Sequence, residues 1–272
     1  MDYEINVIVP LGFSKFLKNS IDNFTRQSYY KKKLIIVENN NGIGACKEYG
    51  FIPDILLESE PHVSYAKNTA ILKIKNGFWT TFDADDYYGE NYLSELAKYI
   101  KKADIIGKSD IFVKTTEDKL RLMKGIGHNK YVKFINGPTI SSWAENKLLF
   151  NPISPWGEDC DWIERAIKLR MNIYSTSYNN FCYMRYKTHN HTWQVSDYQM
   201  SQLFYFTADD KAKIIEFDDI NYNLINGKIK IEDIKYKLIE KQPFDDTDNP
   251  LVAFAKKSMT SFEDWINSIK QN

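Results

Sequence analysis

The sequence is poor in the residues that build disulfide or zinc scaffolds. Its three cysteines, Cys46, Cys160 and Cys182, lie far apart and no Cys-x-x-Cys pair occurs, which argues against a zinc ribbon or a dithiol redox motif. An odd, scattered set fits reduced thiols in a cytoplasmic setting. Neither sign of charge is in excess: 36 Lys and Arg face 36 Asp and Glu, which argues against a protein that coats nucleic acid or another polyanion. No apolar run approaches the roughly 20 residues that span a bilayer. The opening MDYEINVIVP places acidic residues before a very short apolar run, unlike a signal peptide. The expectation is a cytoplasmic protein with at most peripheral membrane contact. No repeat or low-complexity tract is present. The 272 residues are 43% hydrophobic and 15% aromatic, enough for a sizeable core in one large or two small domains.

The first hundred residues alternate two kinds of segment. Ile5-Asn6-Val7-Ile8-Val9 and Leu34-Ile35-Ile36-Val37 are short, β-branched runs that suit strands buried on both faces. Residues 55–57 form a weaker third strand and residues 78–82 a fourth. Between them, residues 15–26, 63–76 and 90–100 have helical spacing, with Ala66, Ala70 and Ile74 on one stripe and Gly77 just beyond. Strands joined by such helices imply an α/β fold with a mainly parallel sheet flanked by helices. Residues 111–114 and 119–123 flank a polar turn and predict a hairpin. Residues 139–143, 173–177 and 181–186 are further strand candidates, with a helix over 158–169. Beyond residue 195, apolar residues at helical spacing (Leu238, Ile239, Phe254, Phe262, Trp265, Ile269) predict a mostly helical extension over 196–272, with 242–250 as a linker. The division expected is a catalytic domain at 1–195 and this extension.

Two acidic clusters carry the chemistry. Asp83-Ala84-Asp85-Asp86 follows the fourth strand, and ligands of open parallel sheets bind at the carboxyl ends of strands. If the backbone stays extended, Asp83 and Asp85 point the same way. Two such charges about 4 Å apart repel by roughly 4 kcal/mol at an effective dielectric near 20, so the pair calls for a cation, a proton or wide solvation. Oxygen ligands of this kind suit Mn²⁺ or Mg²⁺. The competing reading is an acidic turn capping the next helix. Further on, Glu158, Asp159 and Asp161 open a helix. They complement its dipole, but the apolar stripe of Trp162, Ala166 and Leu169 buries that helix and brings its start to a cleft rim. The segment 183–193 is dense in aromatic and polar groups. His189 and His191, at i and i+2, are either metal ligands or ordinary loop histidines. Trp156 and Trp193 suit either a sugar ring or the core.

The strings Val63-Ser64-Tyr65-Ala66-Lys67-Asn68-Thr69-Ala70-Ile71 and Asn76-Gly77-Phe78-Trp79-Thr80-Thr81-Phe82-Asp83-Ala84-Asp85-Asp86 resemble the signature of family 2 glycosyltransferases with the GT-A fold. The runs Ile5-Asn6-Val7-Ile8-Val9-Pro10 and Leu34-Ile35-Ile36-Val37-Glu38-Asn39 resemble the first two strands of that family, and the similarity covers roughly residues 4–190. The resemblance implies roles at matching positions. Asp83 would contact the donor ribose, and Asp85 the metal bridging the diphosphate. Pro10 and Glu38 would border the base pocket. Lys67 and Asn68 would lie beside the diphosphate or the transferred sugar. Lys67 stands where arginine is usual, keeping the charge but not the bidentate fork. Asp159 would be the catalytic base and Glu158 a helper orienting the acceptor. Arg185, His189 and His191 would belong to a loop closing over the donor, the histidines helping at the metal or diphosphate.

The activity implied is an inverting, Mn²⁺- or Mg²⁺-dependent transfer of a single sugar. The donor would be a nucleotide-diphosphate sugar, UDP-linked or related. The acceptor would be a glycan, a teichoic-acid-like polymer of the cell envelope or another polyol. The absence of a Gln-x-x-Arg-Trp string argues against a processive synthase. Two rivals stand beside it. A sugar nucleotidyltransferase would carry a glycine-rich basic loop after the first strand, which Pro10-Leu11-Gly12-Phe13-Ser14-Lys15 is not. A non-catalytic carbohydrate-binding or scaffold protein on the same fold would be expected to have lost one of the acidic clusters.

Overall fold

The computed structural model describes residues 3–154, 157–187, 196–197 and 214–239. Strand β1 (Ile5–Phe13) is buried from residue 5 to residue 11, as a central strand covered on both faces must be. β2 (Lys32–Asn41) and β4 (Phe78–Thr81) flank it in parallel, and β3 (Ile55–Glu58) lies parallel to β2. On the other side β10 (Ser141–Trp143) runs antiparallel between β4 and β6 (Ile105–Gly107). β11 (Ile173–Ser175) then pairs parallel to β6, and β9 (Lys130–Val132) closes the edge. The order is β3-β2-β1-β4-β10-β6-β11-β9.

Successive residues of β1 serve different cores. Val7 and Val9 join Leu34, Phe78 and Tyr92 on one face, whereas Ile8 joins Ile35, Trp79 and Trp162 on the other. That is the period-two alternation of a strand with helices on both sides. Helices α1 (Leu17–Thr25) and α4 (Tyr92–Tyr99) contribute to the first cluster; α3 (Val63–Lys73) and α5 (Glu158–Lys168) contribute to the second. The short α2 (Ala45–Tyr49) follows β2.

A second sheet has the order β14-β13-β8-β7-β12-β5. It comprises β5 (Tyr87–Tyr88), β7 (Ile111–Lys114), β8 (Leu120–Met123), β12 (Phe181–Met184), β13 (Ile214–Phe217) and β14 (Lys237–Ile239). The expected hairpin is β7–β8, with Ile111 opposite Met123 and Lys114 opposite Leu120.

Three expectations need correcting. Within 214–239, expected to be helical, the chain forms β13 and β14 with a one-turn helix, α6 (Tyr222–Ile225), and a 3₁₀ turn (Ile231–Asp233) between them. β13 pairs with β8, so Leu238 and Ile239 belong to a sheet that also contains residues of the first 195; pairing partners distant in sequence override a local period. Phe254, Phe262, Trp265 and Ile269 lie outside the described residues. The stripe on α5 ends at Ala166: Leu169 is 62% exposed because the helix stops at Lys168 and the chain turns at Arg170, with φ 59°. Finally, α3 ends at Lys73, and Ile74 is already extended, with φ −78° and ψ 111°. Among the described residues, no helix is long and apolar enough to cross a membrane.

Trp162 ties helix α5 to the sheet. It is fully buried, its ring stacks on Phe150 at 5.6 Å and meets Trp79 edge-on at 5.9 Å, and its Nε1 donates to the Leu148 carbonyl at 2.8 Å. Trp162→Ala is expected to cost about 3–5 kcal/mol of stability, read from urea denaturation.

Candidate active site

The first acidic cluster follows the carboxyl end of β4, the strand parallel to β1 in the middle of the large sheet. β4 stops at Thr81, and the chain then turns, the Asp86 amide donating to the Asp83 carbonyl at 3.2 Å. The extended geometry expected for residues 83–85 is therefore not what places their side chains. Helix α1 imposes the turn. Asn19 Nδ2 donates to the carbonyls of Ala84 and Asp86, each at 2.8 Å, and Asn23 Nδ2 donates to Asp86 as well, at 2.8 Å. Asp86 is fully buried and its Oδ1 accepts from the Met184 amide at 2.8 Å, anchoring the loop to β12. The third acid of the cluster is thus structural, while Asp83 and Asp85 remain partly accessible.

Asp83 carries the electrostatic signature of the site. Burial pushes its carboxyl up to about 7, with Asp159, Asp85 and Glu158 adding to the rise and Lys67 opposing it. Its Oδ1 is buried without a hydrogen-bond partner. A partly desolvated carboxylate with an idle oxygen is the environment that a cation or a ribose hydroxyl relieves.

The same list of neighbours joins the two acidic clusters. Lys67, on α3, is 1% exposed; its Nζ contacts Asp159 Oδ1 at 2.9 Å and Glu158 Oε1 at 3.2 Å, and sits 4.9 Å from the Phe150 ring centroid. Tyr88 adds a neutral bridge: its hydroxyl accepts from the Asp83 amide and donates to the Pro138 carbonyl, both at 2.8 Å. Pro138 lies in the 3₁₀ turn Gly137–Thr139, which backs Asp159. Lys67 and Tyr88 thus link the neighbourhood of Asp83 to that of Asp159.

Within the second cluster the two acids differ. The Asp159 carboxyl is pushed up to about 6, by burial first, with Lys67 opposing and Glu158 adding to the rise. Glu158 is held below its ordinary value because Lys67, its own hydrogen bonds and His62 together outweigh burial. Asp159 is therefore the better proton acceptor of the pair. Cys160 is no nucleophile here: burial, then the neighbouring carboxylates, push its thiol up to about 12, so it stays protonated.

Gly137 is required at its position. A Cβ built there would stand 1.9 Å from Asp159 Oδ2. Gly137→Ala is expected to displace the carboxylate and lower turnover about tenfold or more, measured as initial rate at saturating donor.

Other predicted residues occupy definite places. Pro10 is buried within β1, paired with Val37 of β2. Both Glu38 oxygens accept backbone N–H groups, from Gly44 and Cys46, each at 2.7 Å, so the carboxylate organises the start of α2. The Asn68 amide clamps Phe150, donating to its carbonyl at 2.9 Å and accepting from its N–H at 2.8 Å. Arg185 is 5% exposed, with Nε 3.8 Å from Asp197 Oδ1. Next to it, the Tyr186 hydroxyl donates to the Asp85 carbonyl at 3.0 Å. His189, His191, Trp156 and Trp193 lie outside the described residues. His62 caps α3, its Nδ1 accepting from the Ser64 amide at 3.2 Å.

Sequence reasoning missed Asn19, Asn23, Tyr88 and Gly137. The Gly137-Pro138 dipeptide is a turn signal; the other three carry no local mark, because Asn19 and Asn23 bond the 84–86 turn more than 60 residues away and Tyr88 reaches Pro138, 50 residues away.

Among the described residues, no group of three or more His, Cys, Asp or Glu side chains is arranged to hold a metal by itself. A Mg²⁺- or Mn²⁺-type ion needs less from the protein when substrate phosphates supply other ligands. Asp85, beside the idle oxygen of Asp83, fits that lighter demand.

No family model matches the sequence. Glycosyltransferase GlyA of Streptococcus pneumoniae serotype 4 is 26% identical over 107 residues, covering 37% of this chain and 15% of GlyA. Residues 1–349 of S. aureus TarS, in complex with UDP-GlcNAc, superpose with a TM-score of 0.52 at 13% identity, over 75% of this chain and 64% of that one. The mannosyltransferase PcManGT of Pyrobaculum calidifontis, in complex with GDP-Man and Mn²⁺, gives 0.52 at 13% identity, over 76% of this chain and 61% of its own. The matches thus span less than two-thirds of each of these relatives. The order of the sheet and these superpositions agree on one architecture: the chain has the GT-A fold found in nucleotide-sugar glycosyltransferases.

Proposed function

We propose that the protein is an inverting, metal-dependent glycosyltransferase. It moves one sugar from a nucleotide-diphosphate donor, UDP-linked or related, to a hydroxyl of a glycan or cell-envelope polymer. The observation that carries this reading is the ion pair from Lys67 to Glu158 and Asp159 beside Asp83, which brings a donor-side carboxylate and a candidate base into one crevice. Support also comes from two proteins of like fold, one in complex with UDP-GlcNAc and one with GDP-Man and Mn²⁺.

An acceptor hydroxyl loses its proton as it attacks the anomeric carbon, and Asp159 is the group poised to take it. Glu158, beside it, orients the hydroxyl. Asp83 would receive the donor ribose on its idle oxygen, and Asp85 would hold the divalent ion. When bound, that ion offsets the charge developing on the departing diphosphate. With base and diphosphate on opposite sides of the sugar, attack is in line and the anomeric configuration inverts.

The test is a donor screen with Mn²⁺, reading released nucleoside diphosphate. Turnover of at least one nucleotide-diphosphate sugar is expected. Binding of nucleotide without turnover of any donor or acceptor mixture would favour the carbohydrate-binding alternative.

A further inference from the structure

We propose that Lys67 is the positioning residue of the base: it holds Asp159 in place and in its charged form through a direct ion pair, and does not serve the donor diphosphate. The inference rests on the reading of Asp159 as base and assigns Lys67 a different task from the one its place in the sequence motif implies.

The geometry leaves Lys67 little freedom. Its side chain is 1% exposed, rising from the buried face of α3 beside Ala66 and Ala70. Its first contacts are Asp159 Oδ1 at 2.9 Å and Glu158 Oε1 at 3.2 Å, and the Phe150 ring lies 4.9 Å away. The phenyl ring is itself fixed, because Asn68, the next residue of α3, clamps the Phe150 backbone. α3, the loop at Phe150 and the start of α5 therefore form one assembly around one ammonium. Leaving that ammonium without carboxylates in such a setting is costly, so a swing to the diphosphate would strand it.

The charges facing Asp159 come from every side. Lys67 is on α3; Glu158 and the protonated Cys160 are on its own helix; Asp83 follows β4; and the uncharged Gly137–Thr139 turn backs it. Only Lys67 is positive among them. Burial and the neighbouring Glu158 carboxylate favour a protonated Asp159, and a protonated acid cannot accept the acceptor's proton. Lys67 keeps Asp159 ionised near neutral pH, while its own proton is held tightly: burial works against the charged form, but Asp159, Glu158 and Asp83 outweigh it.

The experiment is a ¹³C-carboxyl NMR titration of Asp159 in the full chain and in Lys67→Met, with Lys67→Arg as the conservative variant. The wild-type midpoint is expected at about 6, rising by about 1–3 pH units in Lys67→Met and returning most of the way in Lys67→Arg. The acidic limb of the rate profile should move with it, while UDP affinity in the presence of Mn²⁺ stays within about twofold. An unmoved midpoint together with a tenfold loss of UDP affinity would overturn the proposal in favour of a diphosphate contact. If Lys67→Met fails to fold, the wild-type Lys67 ¹⁵Nζ resonance decides: it must shift with the Asp159 midpoint, and an independent midpoint overturns the pairing. Absence of donor turnover in the wild type would sink the transferase reading without touching the titration.

Discussion

Asp159→Asn lowers turnover by about 10²–10⁴ while nucleotide binding changes little. The substitution keeps the shape of the side chain and removes its capacity to take a proton. It also leaves Lys67 its contact with Glu158 at 3.2 Å, so the buried ammonium is not stranded and the fold survives. Initial rates at saturating donor, set beside a calorimetric titration with UDP, separate the two effects. A mutant that turns over as fast as the wild type would remove Asp159 from the mechanism. In the wild type the sign of the pH dependence follows from the same group. With a carboxyl raised to about 6, the active, ionised form is lost as pH falls through that value, and the rate falls with it.

Asp85→Ala abolishes the tightening of UDP binding by Mn²⁺, expected to be tenfold or more in the wild type, and chelation of the metal reproduces the loss. The loop itself should persist in the variant. Asp85 is tied to Tyr186 through its backbone carbonyl at 3.0 Å, and the turn around it is set by Asn19 and Asn23 acting on the carbonyls of Ala84 and Asp86. A truncated side chain removes none of these bonds, so the measurement isolates the carboxylate. Identical UDP affinity with and without Mn²⁺ in the wild type would argue for a binding protein on this fold.

These two expectations differ in how much of them could be read from the residues alone. The strands of β1 and β2 were legible because their β-branched runs are buried on both faces and admit little else. The hairpin β7–β8 was legible because its partners are neighbours in sequence. The strands β13 and β14 were not: β13 pairs with β8, about 90 residues earlier in the chain, and Leu238 and Ile239 carry no sign of that partner. The candidate base was visible as an acid at the start of an amphipathic helix, whereas its rank above Glu158 was not, since burial by segments far apart in the chain raises the Asp159 carboxyl even against the opposing Lys67, 92 residues away.

Asn68 and Glu38 illustrate the same limit from the other side. Both stand where the motif implies contact with a donor, yet Asn68 spends its amide on the Phe150 backbone and Glu38 spends both oxygens on the start of α2. A motif names positions, and only the surrounding backbone says which donors and acceptors are already taken.

By itself, then, the sequence determined the layered α/β architecture and the two acidic clusters. Both are local properties: a run of β-branched residues, a helical stripe, and carboxylates at the end of a strand or the start of a helix. Tertiary structure decided that Asp83 lies near Asp159, that Asp86 is an anchor, that Gly137 leaves room for the Asp159 carboxylate, and that Lys67 pairs with Glu158 and Asp159. Those outcomes depend on burial and on charges contributed by segments far apart in the chain, where desolvation multiplies the effect of each neighbour.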